Sequence, residues 1–300
     1  MMARMPDVTR RTVLRLGLGA AAGAAGAYAL GSLPTVPEAA TPPVTMTSVG
    51  APLAPLPPLA PAAPAPTYVT GSFVSAARGG ITTNWAIARP PGQTAPLRPV
   101  IALHGKGSDA ATVMAGGVED GLAQAVAAGI PPFAVVAVDG GGGYWHKRAD
   151  GDDAGAMVLD ELIPMLAGQG LDTTRVGFLG WSMGGYGALL LGSRLGPART
   201  AAICAVSPAL WTSSGATAPG AFDGADDYTD NSVWGQPALG SIPIRIDIGN
   251  SDPFASATRQ FIAQLPTPPS GGFSPGGHDA GFWSSQLPAE VSWMGPLLVA

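Results

Sequence analysis

The segment Val176–Leu195, VGFLGWSMGGYGALLLGSRL, predicts a strand, a tight turn and a helix in immediate succession. The apolar run Val176–Leu179 is typical of a buried strand, and Gly184–Leu195 of a helix built from small residues and leucines. Ser182 stands at the joint, with a glycine two residues away on either side. Only glycine lets strand and helix approach this closely, and such a turn holds a serine hydroxyl at a helix N-terminus, ready to act as a nucleophile. Because the chain has 43 glycines, the alternative is a glycine-rich turn with an incidental serine.

Strand-like and helix-like segments alternate along the chain from Thr67 onward. The predicted strands are 67–77, 82–88, 100–103, 133–138, 176–179, 201–206 and 242–248, and the predicted helices are 112–128, 154–167, 184–195, 253–265 and 279–294, the last interrupted at Pro288. The first two strands form an antiparallel pair, and Pro208–Gly240 is a loop or small cap. This alternation implies an α/β fold with a mainly parallel central sheet and helices on both faces. Functional residues are then expected at the carboxyl ends of the strands.

Composition limits the classes of partner. The net charge of −5, without basic clusters in the body of the chain, makes nucleic acid an unexpected partner. The 300 residues, 46% of them hydrophobic, suit one large domain over 67–300. The single cysteine, Cys204, lies in an apolar run, so we expect a buried structural thiol and no intramolecular disulfide.

The N-terminal end of the sequence has the pattern of a targeting segment. Arg10 and Arg11 precede the uncharged stretch Leu16–Leu30, so residues 1–33 resemble a twin-arginine export signal. Residues 34–66 are rich in proline and alanine and predict a disordered, semi-rigid linker. We therefore expect export across the bacterial inner membrane, to a secreted state or to association with the membrane or cell wall. The alternative is a disordered basic tail with a short Ala/Gly helix.

A serine nucleophile needs a base, and the sequence offers three histidines. His104 ends a predicted strand and is interpreted as a structural hydrogen-bonding residue, and His146 lies in a glycine-rich loop. In the chain order of an α/β-hydrolase, the acid and then the histidine follow the serine. Only His278 lies C-terminal to Ser182, so it is the candidate base. Its alternative role is that of a polar residue near a helix N-cap.

The acid that orients the base must lie between Ser182 and His278. The carboxylates in this interval are Asp223, Asp226, Asp227, Asp230, Asp247 and Asp252. Asp252 directly follows a predicted strand, whereas Asp247 lies inside that strand and the others belong to the cap segment. Asp252 is therefore the predicted acid of a Ser-Asp-His triad. Because Pro253 follows it, Asp252 is also a candidate N-cap of the next helix.

Two backbone N–H groups are expected to stabilise the oxyanion of the reaction. One belongs to Met183, immediately after the nucleophile, and the other to Lys106, in the loop after the strand 100–103. Aromatic residues and a histidine near the site are candidates to line a substrate pocket: Tyr144, Trp145, His146, Trp181 and Trp283.

Together these motifs resemble the putative-esterase branch of the α/β-hydrolases, which includes esterase D-like enzymes and the mycolyltransferase antigens. The resemblance covers about 68–294 and is carried by His104-Gly105-Lys106, GWSMGG at 180–185, 249–254, and HDAGFW at 278–283. It implies an α/β-hydrolase fold and a serine hydrolase or acyltransferase that acts on esters without a metal or other cofactor. The mycolyltransferases use glutamate as the acid, and here Asp252 stands instead, which favours hydrolysis.

The sequence therefore predicts an exported serine carboxylesterase whose substrate is a small-molecule ester, a lipid or an acyl-sugar ester. The first alternative is a mycolyl- or acyltransferase of the cell envelope. The second is a catalytically inactive hydrolase fold that binds the cell wall.

Overall fold

An eight-stranded sheet forms the centre of the structure, a computed structural model that describes residues 67–300. The predicted export signal and linker, residues 1–66, lie outside the described residues. The strands are β1 (Tyr68–Ser75), β2 (Ile81–Ala88), β3 (Pro99–Leu103), β4 (Ala134–Val138), β5 (Val176–Trp181), β6 (Thr200–Val206), β7 (Ile244–Gly249) and β8 (Ser270–Ser274). Their order is β1-β2-β4-β3-β5-β6-β7-β8. β2 is antiparallel to β1 and β4, and the other pairs are parallel, so the sheet is mainly parallel as predicted.

Helices cover both faces of this sheet. They are α1 (Ala110–Ala115), α2 (Val118–Ala127), α3 (Ala154–Ala156), α4 (Ile163–Gly168), α5 (Met183–Leu195), α6 (Ala225–Asp230), α7 (Ala255–Gln264) and α8 (Ala280–Val299), with a π-helical stretch Met157–Leu162 that joins α3 to α4. One apolar core lies between the sheet and the helices α4, α5 and α7, and the other between the sheet and α1, α2 and α8. The central strands are buried on both faces, which explains their unbroken apolar sequences.

Three local predictions need correction. The helix predicted over 112–128 is two helices, because Gly117 adopts a φ of +91° between them. The eighth strand was not predicted, because its sequence SGGFS has two glycines and lacks the β-branched residues that mark strands. The last helix runs through Pro288 without a break, because its other face is fixed by buried residues such as Val291 and Met294 against the sheet.

Residues 67–300 include no helix with the length and apolar composition that membrane crossing requires.

Candidate active site

Ser182 occupies the sharp turn between β5 and α5. Its φ of +56° is rare for a residue with a side chain, and it directs the chain abruptly from strand to helix. A Cβ at Gly180 would overlap the Gly184 carbonyl, and one at Gly184 would overlap the carbonyl of Leu103. Glycine is thus required on both sides of the serine. The result is a hydroxyl at the N-terminus of α5, at the carboxyl edge of the sheet.

His278 lies between Ser182 and Asp252. Its Nε2 is 2.8 Å from Ser182 Oγ, and its Nδ1 is 2.8 Å from Asp252 Oδ2. An ionised carboxylate only accepts hydrogen bonds, so Nδ1–H donates to Asp252 and Nε2 is left to accept the Ser182 hydroxyl proton. The three side chains come from the turns after β5, β7 and β8, which meet at the carboxyl edge of the sheet with β6 between β5 and β7.

The Asp252 carboxylate is buried and serves two structural purposes. Burial opposes its ionisation, but hydrogen bonds from His278 and from the Phe254 N–H outweigh that effect and lower its pKa. The Phe254 N–H donates to Oδ1 at 2.8 Å, just before α7 begins at Ala255. Asp252 therefore shapes the turn that leads into α7 with one oxygen and holds His278 with the other. Asp252 is not the N-cap that the sequence suggested, because Phe254 holds that position, and its role as the triad acid stays a prediction.

The other carboxylates between Ser182 and His278 lie elsewhere. Asp247 forms an ion pair with Arg245 at 2.6 Å, on the face of the sheet that α8 covers. Asp223 pairs with Arg148 at 2.6 Å, and Asp227 accepts a hydrogen bond from Asn231 at 2.7 Å. Among the described residues, Asp252 is the carboxylate that contacts His278.

Two aromatic rings enclose the His278 imidazole. The centroids of Phe254 and Trp283 each lie 5.2 Å from the centroid of the imidazole, in edge-on geometry. Such rings limit the orientations open to the imidazole and shield it from water. About 23% of the His278 side chain stays exposed, so the base is reachable from outside.

His104 holds the loop that carries the predicted oxyanion donor Lys106. The Gly140 N–H donates to His104 Nε2 at 2.9 Å, so the neutral imidazole carries its proton on Nδ1 and donates to the Gly105 carbonyl at 2.8 Å. Burial lowers the pKa of His104, which favours this neutral form. Because the Gly105 C=O and the Lys106 N–H belong to one planar trans peptide, His104 fixes the direction of that N–H. The structural role of His104 is therefore to orient the Lys106 N–H.

The two predicted oxyanion donors lie on opposite sides of the serine in sequence but close to it in space. A Cβ placed on Gly105 would be 3.7 Å from Ser182 Cβ, so the loop that carries Lys106 passes directly beside the nucleophile. Met183 is the first residue of α5, where a backbone N–H has no acceptor within its own helix. Both amides remain predicted donors.

A groove of about 320 Å³ opens beside Ser182. Its walls come from the loop after β3, the α1–α2 junction, the serine turn and the first turns of α8, through residues that include Val113, Val118, Trp181, Trp283 and Leu287. Trp181 and Trp283 were predicted at the site and line this groove. Sequence reasoning missed Val113, Val118 and Leu287, because only the fold brings these distant segments together.

The predicted pocket role of Tyr144, Trp145 and His146 needs correction, because none of the three lines this groove. Trp145 and His146 are fully buried, and Tyr144 is 5% exposed. Tyr144 and Trp145 have φ of +57° and +61°, which folds the loop so that its aromatic rings enter the core. His146 stacks on Phe222 of the cap segment at 5.1 Å, and burial lowers its pKa.

A second group of polar side chains is buried between the sheet and α8. The ligand-type atoms of Cys204, Asp247 and Glu290 lie within 4.8 Å of one another. Asp247 is held by Arg245, whereas both carboxyl oxygens of Glu290 lack a hydrogen-bond partner. Burial raises the pKa of the Cys204 thiol, which fits the predicted structural role of the thiol. These residues belong to β6, β7 and α8 and do not line the groove beside Ser182.

The chain has clear structural relatives. It resembles a ferulic acid esterase with a TM-score of 0.67 and 19% identity, over 77% of this chain and 98% of that one. For the S-formylglutathione hydrolase FrmB from Staphylococcus aureus the TM-score is 0.59 and the identity 17%, over 76% of this chain and 98% of that one. For MPT51 (FbpC1) from Mycobacterium tuberculosis the TM-score is 0.60 and the identity 18%, over 78% of this chain and 100% of that one. At these identities the likeness shows the fold, which is the predicted α/β-hydrolase fold.

No curated protein sequence matches the chain significantly. The sequence model of one family, described as putative esterase, matches residues 81–294, which is more than two thirds of the chain. The chain therefore belongs to the putative esterase family.

Proposed function

We propose that the chain is a serine carboxylesterase that works through Ser182, His278 and Asp252. The observation that carries this proposal is the position of His278, whose two ring nitrogens are each 2.8 Å from the oxygen of a neighbouring triad residue. Membership of an esterase family supports the reaction class. A serine, a base and an orienting acid in this geometry are the components of nucleophilic acyl transfer.

The reaction proceeds in two halves. Ser182 Oγ attacks the ester carbonyl carbon while its proton passes to His278 Nε2, and the N–H groups of Met183 and Lys106 stabilise the resulting oxyanion. As the tetrahedral intermediate collapses, His278 donates the proton to the leaving alkoxide and an acyl-enzyme remains. Water then adds to the acyl carbon, His278 accepts a proton from it, and the free acid leaves as Ser182 regains its hydrogen. Asp252 stabilises the imidazolium in both halves.

The alternative product of the same acyl-enzyme is a new ester, formed when an alcohol replaces water. We expect hydrolysis to dominate. The test is to supply a p-nitrophenyl ester with and without trehalose as acceptor and to measure the free acid and acylated trehalose by mass spectrometry. The proposal predicts mainly free acid at millimolar trehalose. Acylated trehalose as the main product would instead make the chain an acyltransferase.

We also propose that the enzyme is exported, because Arg10 and Arg11 precede an uncharged apolar stretch. Replacing both arginines with lysine retains the charge but removes the twin-arginine pattern, so the variant should accumulate in the cytoplasm of the producing bacterium. Immunoblots of cell fractions and medium measure the distribution. Equal export of the variant and the unaltered chain would exclude this route.

A further inference from the structure

We propose that the groove beside Ser182 binds an unbranched, saturated chain of the ester substrate, of about eight to ten carbons. The inference rests on the proposed function and adds the class of substrate. It follows from the chemistry of the groove walls, from the groove volume, and from the lack of space on the other side of the nucleophile.

The walls of the groove are largely apolar. Val113 of α1, Val118 of α2 and Leu287 of α8 are buried side chains that face this space, and Trp181 and Trp283 stand nearer to the serine. Trp283 and Leu287 are four residues apart and therefore share one face of α8. A chain laid along this face meets indole and aliphatic surfaces in succession.

The ionisable side chains that line the groove are His104, Lys106 and His278, and all three belong to its serine end. The Lys106 Nζ is 3.4 Å from the Pro219 carbonyl and 5.7 Å from the centroid of the Tyr144 ring, so the ammonium group is engaged outside the groove. The hydroxyl of Thr112 already donates to Asp109 at 2.7 Å. Beyond the serine, the other polar side chains of the lining are the hydroxyls of Ser108 and Ser284, so a charged group would lose its hydration there without gaining an ionic partner.

The groove volume sets how many carbons of the chain can be buried. The groove holds about 320 Å³. A methylene group needs about the 30 Å³ that a water molecule occupies in the liquid, so the space suits about ten heavy atoms. The groove is open to solvent at the exposed residues Gly116 and Ser284, so a longer chain can extend past it into solvent.

The opposite side of the site is filled by aromatic rings. Tyr144, Trp211 and Phe254 follow one another at centroid separations of 5.6 and 5.5 Å, and Phe254 contacts His278. The cavity that adjoins Trp211 on this side measures only about 10 Å³. Among the described residues, the space for a chain next to Ser182 therefore lies on the side of α1, α2 and α8.

The test compares two ester series below their critical micelle concentrations. One series lengthens the acyl chain of p-nitrophenyl esters from two to fourteen carbons, and the other lengthens the alcohol of acetate esters. Each buried methylene contributes about 0.8 kcal/mol, so kcat/KM should rise about fourfold per carbon and reach a plateau near eight to ten carbons. A rise in the first series places the acyl chain in the groove, and a rise in the second places the alcohol there.

A matched pair of variants tests the location. Ser284 is exposed on α8 and lines the groove, whereas its exposed neighbour Ser285 does not. Ser284→Trp should occupy the groove and lower the ratio of the ten-carbon to the two-carbon rate at least tenfold, while Ser285→Trp should retain the wild-type ratio.

The inference is wrong if kcat/KM does not increase with length in either series, if both variants change the ratio equally, or if a hydroxycinnamate ester exceeds every alkyl ester. Such results on an enzyme that still turns over acetate esters through Ser182 leave the proposed function intact. Failure to hydrolyse any ester would instead refute the proposed function.

Discussion

Replacing Ser182 with alanine is expected to lower kcat for ester hydrolysis by about 10⁴-fold or more, because the acyl-enzyme can no longer form. The fold should survive. The side chain hydrogen bond of Ser182 is to His278, and alanine has the same Cβ at the φ of +56° that the turn already tolerates. Initial rates on p-nitrophenyl esters measure the effect, and circular dichroism checks the fold. Ser193→Ala, at the other end of α5, is the matched control and should retain activity.

The triad also makes a prediction about combined variants. Because Ser182 and His278 act as one unit, the double variant Ser182→Ala/His278→Ala should be no slower than Ser182→Ala alone. Multiplicative losses in the double variant would mean that the two residues act independently, and this outcome would contradict the proposed mechanism.

Replacing Glu290 with glutamine is expected to stabilise the protein above about pH 5. Glu290 is fully buried on α8 and neither carboxyl oxygen has a partner. Burial, with the Asp247 carboxylate nearby, raises its pKa well above the ordinary value of 4.5. The neutral, similarly shaped glutamine avoids the cost of protonating this carboxyl on folding.

The stabilisation should depend on pH in a defined direction. Above pH 4.5 the carboxyl ionises in the unfolded chain but stays protonated in the folded one. Rising pH therefore favours unfolding, by about 1.4 kcal/mol per pH unit, until the pH reaches the raised pKa of the folded state. The glutamine side chain does not ionise, so the variant does not lose stability in this way as the pH rises. Its free energy of unfolding should match the wild type near pH 4 and exceed it increasingly as the pH rises towards the raised pKa of the folded state.

Urea unfolding at pH 4.5, 6 and 8 measures this difference. Glu119→Gln, on the exposed surface of α2, is the matched control and should show no such divergence. If the Glu290→Gln and wild-type curves keep a constant separation across this range, then Glu290 ionises as readily in the folded as in the unfolded state.

The central part of the fold and the core of the site could be predicted from sequence because local physical constraints define them. The turn at Ser182 needs glycine on both sides, and the central strands need unbroken apolar runs. His278 and Asp252 were selected by chain order and by their position after strands. The structure brings these three side chains within hydrogen-bonding distance, and their catalytic role remains a prediction.

The remaining features depend on tertiary packing, which no short segment encodes. The groove is formed where α1, α2 and α8 meet, so Val113 and Leu287 have no shared sequence pattern. Tyr144 and Trp145 lie in a glycine-rich loop that suggests exposure, yet their positive φ values turn their rings into the core. Pro288 is tolerated within α8 because packing on the sheet replaces what the lost backbone hydrogen bond would contribute.

The most direct test of the central claim is to label the chain with a fluorophosphonate and to map the adduct by mass spectrometry. The reagent reacts with a serine only where a base activates it. The expected result is a single adduct on the tryptic peptide 176–194, located at Ser182 and lost in Ser182→Ala. An unlabelled chain, as a catalytically inactive wall-binding protein would give, or an adduct on another residue would contradict it.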